Sequence, residues 1–237
     1  MQDYGTSPSG LSATRIAFLT IGQAPRRDLS EPIERALPPH VQVRHAGALD
    51  GLDRATVQQQ FSPGPGGAWL ISKLADGQPV TLRADAIGAL LQQAIDRLEE
   101  EGVDGIVLLC TGEFPGLRTR RAWLIEPDGV VCAGVDSLLR NALAGVLVPM
   151  PEQVNEARVK WQRLQRPPLF AAASPYDETP DALIDAARTL RRQGAQALVL
   201  DCMGYAPAHK AALRAAGLDI PVLVSASVLG GAVAAYV

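Results

Sequence analysis

Two of the three cysteines in this chain of 237 residues sit in the same local setting. Cys110 ends the apolar run Gly105–Cys110 and is followed by Thr111-Gly112. Cys202 follows the apolar run Ala197–Asp201 and is itself followed by Met203-Gly204. A thiol ionises at about 8.5 in water, and a helix N-terminus or a nearby cation can lower that value. One thiolate can take a proton from a carbon next to a carboxylate, while a thiol opposite returns a proton to the other face. Such a pair needs no metal or organic cofactor if the developing charge is stabilised. Backbone amides around Thr111, Gly112, Met203 and Gly204 are the candidates for that task. One cysteine acting as a nucleophile is the alternative.

The setting is shared over a longer stretch than the cysteines alone. Shifting the sequence by 92 positions lays Gly88–Phe114 over Pro180–Ala206 without a gap, and eight of the 27 pairs are identical, Cys110/Cys202 and Gly112/Gly204 among them. Helix–strand units share Ala, Leu, Val and Gly by composition, but a matched cysteine is not explained that way when the chain holds three. Both segments read as helix, Gly, strand, Cys, any residue, Gly. In open parallel sheets ligands bind beyond the carboxyl ends of the strands. Two duplicated halves about a pseudo-twofold axis would therefore face the thiols across one cleft.

Other residues at the same sheet edge are candidates for holding a substrate. Arg26 and Arg27 follow the first strand and could clamp a carboxylate or phosphate, or simply start a solvated helix. Thr20, Gly22 and Gln23 belong to the same turn. Ser174 follows a strand of the second half, so its hydroxyl could reach the cleft. Asp201 either orients the cleft or caps a turn, and Glu113 is either an acid/base group or one half of a surface ion pair. Cys132 lies in the apolar run VVCAG and reads as a buried small hydrophobe within a strand. His209 opens a helix after the Cys202 loop, whereas His40 and His45 have no partners at ligand spacing. No metal-ligand spacing, dinucleotide fingerprint or P-loop occurs, so no metal or cofactor is expected.

The elements that would carry these residues alternate along the chain. Arg15–Ile21, Val41–Leu49, Gly105–Cys110, Val130–Gly134, Val146–Pro149, Leu169–Ala173, Ala197–Asp201 and Val222–Ser225 read as strands. Leu29–Leu37, Ala84–Glu101, Asp136–Ala144, Glu152–Leu164, Asp181–Gln193, Ala206–Ala216 and Ser227–Tyr236 read as helices. Ala68–Leu82 reads as a hairpin turning at Asp76-Gly77. Ser62–Gly67 is a Pro/Gly-rich loop, either a lid or a surface connector. The pattern predicts an α/β fold of two similar lobes with mainly parallel sheets. Residues 1–13 read as a flexible tail, 14–145 as the first lobe and 146–237 as the second, with room for an exchange of C-terminal helices.

Composition narrows the function classes. Apolar residues make up 47% and charged residues 20%, with a net charge of −3, so the chain is globular and carries no basic stripe for nucleic acid. No apolar run approaches the roughly 18 residues of a membrane span, and residues 1–13 lack the pattern of a signal peptide. Three widely spaced cysteines fit reduced thiols, hence a cytoplasmic setting, and a homodimer is a candidate assembly.

The runs LTIGQAPRRD (19–28), LLCTGEF (108–114) and LDCMGY (200–205) resemble the AroM family, and the likeness extends from about residue 14 to the end. By this resemblance the chain joins the aspartate/glutamate racemase-like superfamily of amino-acid and hydantoin racemases, arylmalonate decarboxylases and maleate isomerases. It implies two α/β lobes and a pair of cleft cysteines. The glutamate racemase pattern of Asp-Ser-Gly after the first strand is replaced by Thr20-Ile21-Gly22-Gln23. The Asn-Thr after its first cysteine is replaced by Thr111-Gly112, and the Thr-His after its second by Met203-Gly204. The expectation is a cofactor-independent isomerase or racemase acting on a small carboxylate through Cys110 and Cys202. A metabolite-binding protein using the same cleft, or a carbon–carbon lyase using one thiol, are the alternatives.

Overall fold

The computed structural model describes residues 14–64 and 68–237. The tail expected at 1–13 and positions 65–67 of the Pro/Gly-rich loop lie outside the described residues. Two parallel sheets organise the rest. The first contains β1 (Arg15–Thr20), β2 (Gln42–Gly47), β5 (Gly105–Leu108) and β6 (Trp123–Ile125) in the order β2-β1-β5-β6. The second contains β7 (Ala144–Val148), β8 (Leu169–Ala172), β9 (Ala197–Leu200) and β10 (Val222–Val224). Its order, β8-β7-β9-β10, repeats the first sheet strand for strand. The chain is thus an α/β protein of two similar lobes. Central strands β5, β7 and β9 are buried at every position, because helices cover both faces of a parallel sheet.

The helices that feed the cysteine strands are matched as well. Helix α3 (Ala84–Glu100) buries Ile87, Leu91, Ala94, Ile95 and Leu98, and α6 (Asp181–Arg192) buries Leu183, Ala187 and Leu190, each along one stripe. Gly102 and Gly194 then turn the chain at φ +78° and +102°, a left-handed conformation that only glycine adopts without strain. The first half adds α2 (Arg54–Phe61) and the antiparallel hairpin β3 (Trp69–Lys73)–β4 (Pro79–Arg83). The second half adds α7 (Pro207–Ala215). Helix α2 has no counterpart in the sequence reading, although Asp53 caps it by accepting from Thr56 N at 2.7 Å.

One stretch differs from expectation. Val130–Gly134 is not a strand but the middle of α4 (Pro127–Leu139), and the helix expected at Asp136–Ala144 stops at Leu139, leaving Ala144 to open β7. A short apolar run fits a buried helix as well as a strand. Here Pro127 and Asp128 in the first turn favour the helix. The missing strand is Trp123–Ile125, at the edge of the first sheet. Val131, Cys132 and Val135 of α4 pack with Val146, Val148 and Val199 of the second sheet. Helix α8 (Ser225–Tyr236) reaches the other way. Its Gly230 lies on Ile33 of α1 (Arg27–Glu34), and Tyr236 stacks edge-on against Trp123, with ring centroids 5.1 Å apart.

A buried carboxylate fixes the loop that leaves Cys110. Glu99, 2% exposed on α3, accepts backbone N–H bonds from Arg120, Arg121 and Ala122 at 2.7–3.0 Å. Burial pushes this carboxyl up, but the three amides outweigh it and hold it at about 2. The folded value lies below the ordinary one, so the stabilisation is present above about pH 4.5 and fades as pH falls toward 2. Glu99→Gln, which keeps the size and loses the charge, should cost about 2–3 kcal/mol in urea melts at pH 7 and much less at pH 3. An equal cost at both pH values would refute this account.

Candidate active site

The two thiol loops leave their sheets in the same way. Leu109 N donates to Leu19 O at 2.7 Å and Asp201 N donates to Leu147 O at 2.9 Å, so each ladder makes its last bond just before the cysteine. The loops then fold back on the sulfur. Gly112 N donates to Cys110 Sγ at 3.4 Å, and Gly204 N donates to Cys202 Sγ at 3.3 Å. A side chain at Gly204 would put a Cβ 2.8 Å from both Pro175 Cγ and Tyr176 Oη, so glycine is what lets Tyr176 close over this loop.

Both cysteines line a single cavity of about 380 Å³ at the carboxyl ends of the strands. The ends of β1, β5, β7 and β9 form its floor. The hairpin β3–β4 supplies further wall through Leu70 and Ser72, and helix α5 (Val154–Lys160) with the turn before it through Lys160 and Gln153. Of the residues expected from sequence, Cys110, Thr111, Gly112, Cys202, Met203, Gly204 and Arg26 line this cavity, as do Asp201 and Glu113.

The remaining candidates lie outside it. Arg27 is exposed on the first turn of α1. Gln23 is a strut: its Nε2 donates to the carbonyls of Leu49 and Leu52, and its Oε1 accepts from Ala75 N. Thr20 Oγ1 accepts from Gly22 N at 3.3 Å, and a Cβ on Gly22 would collide with Lys73 O and the Ser72 side chain. These residues shape the β1 turn under the hairpin and do not face the cavity. Ser174 Oγ accepts from Tyr176 N at 3.0 Å, which turns the chain and presents Tyr176 instead. His209 caps α7, its Nδ1 accepting from Ala206 N at 2.9 Å. Cys132 is buried in α4 with its thiol 3.4 Å from Asp128 Oδ1. Among the described residues no cluster of His, Cys, Asp and Glu could hold a metal ion, and no helix is long and apolar enough to cross a membrane.

Each thiol draws its cation from the other half of the chain. Lys160, 9% exposed, donates to Asp201 Oδ1 and to the carbonyl of Thr111, both at 2.9 Å, with Asp128 Oδ1 at 3.5 Å. One ammonium thereby ties the Cys110 loop to the Cys202 loop. Trp161 Nε1 donates to the second Asp201 oxygen at 2.7 Å. Burial pulls Lys160 down, but Asp201 outweighs it and keeps the group charged. Across the cavity Arg26, 4% exposed, grips Asp28 through Nε and Nη2 at 2.8 Å each and donates to Ser72 Oγ and Tyr176 Oη, both at 3.2 Å.

Neither cation prevails over burial. Desolvation raises Cys110 to about 11, moderated by Gly112 N–H and by Lys160. It raises Cys202 to about 12, with Gly204 N–H and Arg26 lowering it and Cys110 raising it further. Burial therefore keeps both protonated at neutral pH.

Lys160, Tyr176, Ser72 and Gln153 were not singled out from sequence. Asp201 lies 41 residues from Lys160, so no local spacing announces their pairing. Tyr176 lies two residues after Ser174, and the turn that Ser174 makes is what brings it to the cavity.

A family model described as AroM protein matches residues 16–236. No curated protein matches the chain. Among solved structures, a glutamate racemase isoform from Bacillus anthracis superposes with a TM-score of 0.64 at 12% identity, covering 95% of this chain and 82% of that one. Allantoin racemase from Klebsiella pneumoniae gives 0.59 at 17% identity, covering 94% and 86%. An arylmalonate decarboxylase gives 0.55 at 12% identity, covering 93% and 91%. At these identities the likeness establishes the fold.

Proposed function

The chain belongs to the AroM family, and from that premise we propose that it is an enzyme that moves a proton at the carbon beside the carboxylate of a small acid, as a racemase or isomerase. The observation that carries this reading is the pair of thiols in one cavity, at matching positions of two matched lobes, each sulfur accepting an N–H from the glycine two residues on. Racemases of allantoin, aspartate and glutamate share the fold, which makes proton transfer the first chemistry to test.

In this mechanism Cys110, as the thiolate, takes the proton from one face of the substrate carbon. Cys202, still a thiol, delivers a proton to the opposite face, and the roles exchange in the reverse direction. The developing carbanion spreads its charge into the carboxylate, which Arg26 and the loop amides receive. No metal or organic cofactor takes part. A base held at about 11 is scarce at neutral pH but strong when formed.

The test is incorporation of solvent deuterium at the carbon beside the carboxylate, followed by proton NMR over a panel of small chiral acids. The raised thiol gives the rate a direction. Exchange should climb about tenfold per pH unit from neutrality and bend over near 11, where the base is half ionised. A profile flat through the neutral range would exclude a buried thiol as the base.

A further inference from the structure

The charges around the cavity are almost fully engaged. Asp28 takes two of the N–H groups of Arg26, and Ser72 and Tyr176 accept from two more, which leaves one of its five unpaired among the described residues. Lys160 is spent on Asp201, Asp128 and the Thr111 carbonyl. Lys73 sits over the Tyr176 ring, 4.6 Å from its centroid. Three carboxylates, Asp201, Glu113 and Glu156, line the same space.

What remains for an anion among the lining side chains is one small cradle. Tyr176 Oη accepts from Arg26, so its own O–H is free to donate, and burial keeps it protonated far above neutrality. The spare N–H of Arg26, on Nη1, and the Tyr176 O–H are two donors left for the oxygens of one carboxylate. The rest of the wall includes Ile21, Leu29, Leu70, Leu109, Val148 and Met203. Gln153 adds one polar requirement: its Nε2 donates to Trp69 O at 2.9 Å, while its Oε1 is buried without a donor among the described residues. A buried acceptor left unpaired is costly, so a ligand group that donates to it gains affinity.

We infer that the cavity selects small acids with a single carboxylate, an apolar group on the adjoining carbon and a hydroxyl or N–H donor, in preference to dicarboxylates. Resting on the proton-transfer reading, this names its substrate class. A second carboxylate would enter a cavity whose lining cations, Arg26 and Lys160, are already paired with Asp28 and Asp201, and would lose its water for little return. The apolar group instead gains from leaving water.

Calorimetric titration of the full chain with mandelate, phenylacetate and glutamate tests the inference. Mandelate should bind about tenfold tighter than phenylacetate, which lacks the hydroxyl, and tighter still than glutamate. Tyr176→Phe should weaken mandelate by about tenfold, and Gln153→Leu should erase its advantage over phenylacetate. Glutamate binding as tightly as mandelate, no measurable binding of either aromatic acid, or an unchanged mandelate affinity in Tyr176→Phe would each overturn the class. Deuteration of glutamate dependent on the cysteines would overturn the class yet leave the proton-transfer reading standing. Selective mandelate binding in a protein that deuterates none of the panel would do the reverse.

Discussion

Cys110→Ser and Cys202→Ser should each lower deuterium incorporation by about a thousandfold, and the double variant should lose little more. The two sulfurs act as a unit, so removing either breaks the circuit and the effects are not additive. A serine hydroxyl fits the space of the thiol, but it ionises several units higher in water and is penalised by the same burial. The outcome separates the competing chemistries. If one variant is inactive and the other retains most of its activity, a single-thiol reaction such as decarboxylation replaces the two-sided proton transfer. If both variants bind and turn over an identified substrate like the parent, the thiols take no part. Cys132→Ser is the control. That thiol is buried in α4 outside the cavity, so rates should hold while stability falls modestly.

The second large effect is on the buried ion network. Lys160→Met should destabilise the fold by about 3–5 kcal/mol, because it strands Asp201 as an unpaired charge among apolar neighbours. Adding Asp201→Asn should restore part of that loss. The amide keeps an oxygen for Trp161 Nε1 and removes the charge, although Asp128 then lacks its counter-ion. Urea melts of the single and double variants measure the coupling. The same variants carry a chemical readout. Lys160 holds Cys110 below the value that burial alone would give, so its loss should move iodoacetamide alkylation of Cys110 to higher pH. Cys202, with Arg26 as its cation, should shift less. Equal shifts at both thiols would mean a general loosening of the cavity in place of a specific charge effect.

Much of the scaffold was legible because its signals are local. Apolar runs that stop at glycine mark the strands, a 3.6-residue stripe marks α3, and the 92-residue repeat pairs α3–β5 with α6–β9. The cysteines stood out through that repeat. The interior of the site was less legible because its logic is not local. Arg26 and Arg27 are neighbours of one type, and only the path of the chain into α1 decides that the first is buried and the second exposed. Gln23 looked like a ligand for substrate, yet three backbone groups consume its amide. Lys160 sits between two ordinary basic residues, Arg158 and Arg163, and its burial follows from tertiary packing. The apolar run around Cys132 fits either period, so the choice of helix rests on its first turn.

The reach of α8 bears on how the two halves came to share one chain. A single core draws Phe18 and Val107 of the first sheet together with Leu198 and Val222 of the second, and Leu229 and Val233 of α8 belong to it. Helix α4, meanwhile, lies on the second sheet. Each half therefore lends its last helix to its neighbour, so neither is a self-contained building block. A chain severed between α4 and β7 should give two fragments that are poorly soluble alone and that reassemble on mixing. An ancestor of half the length would have faced the same constraint and met it by pairing with its own copy, each copy contributing one thiol to a shared cavity. Fusion of two such copies into one polypeptide would free the two walls to diverge, and here the hairpin β3–β4 belongs to the first half alone among the described residues.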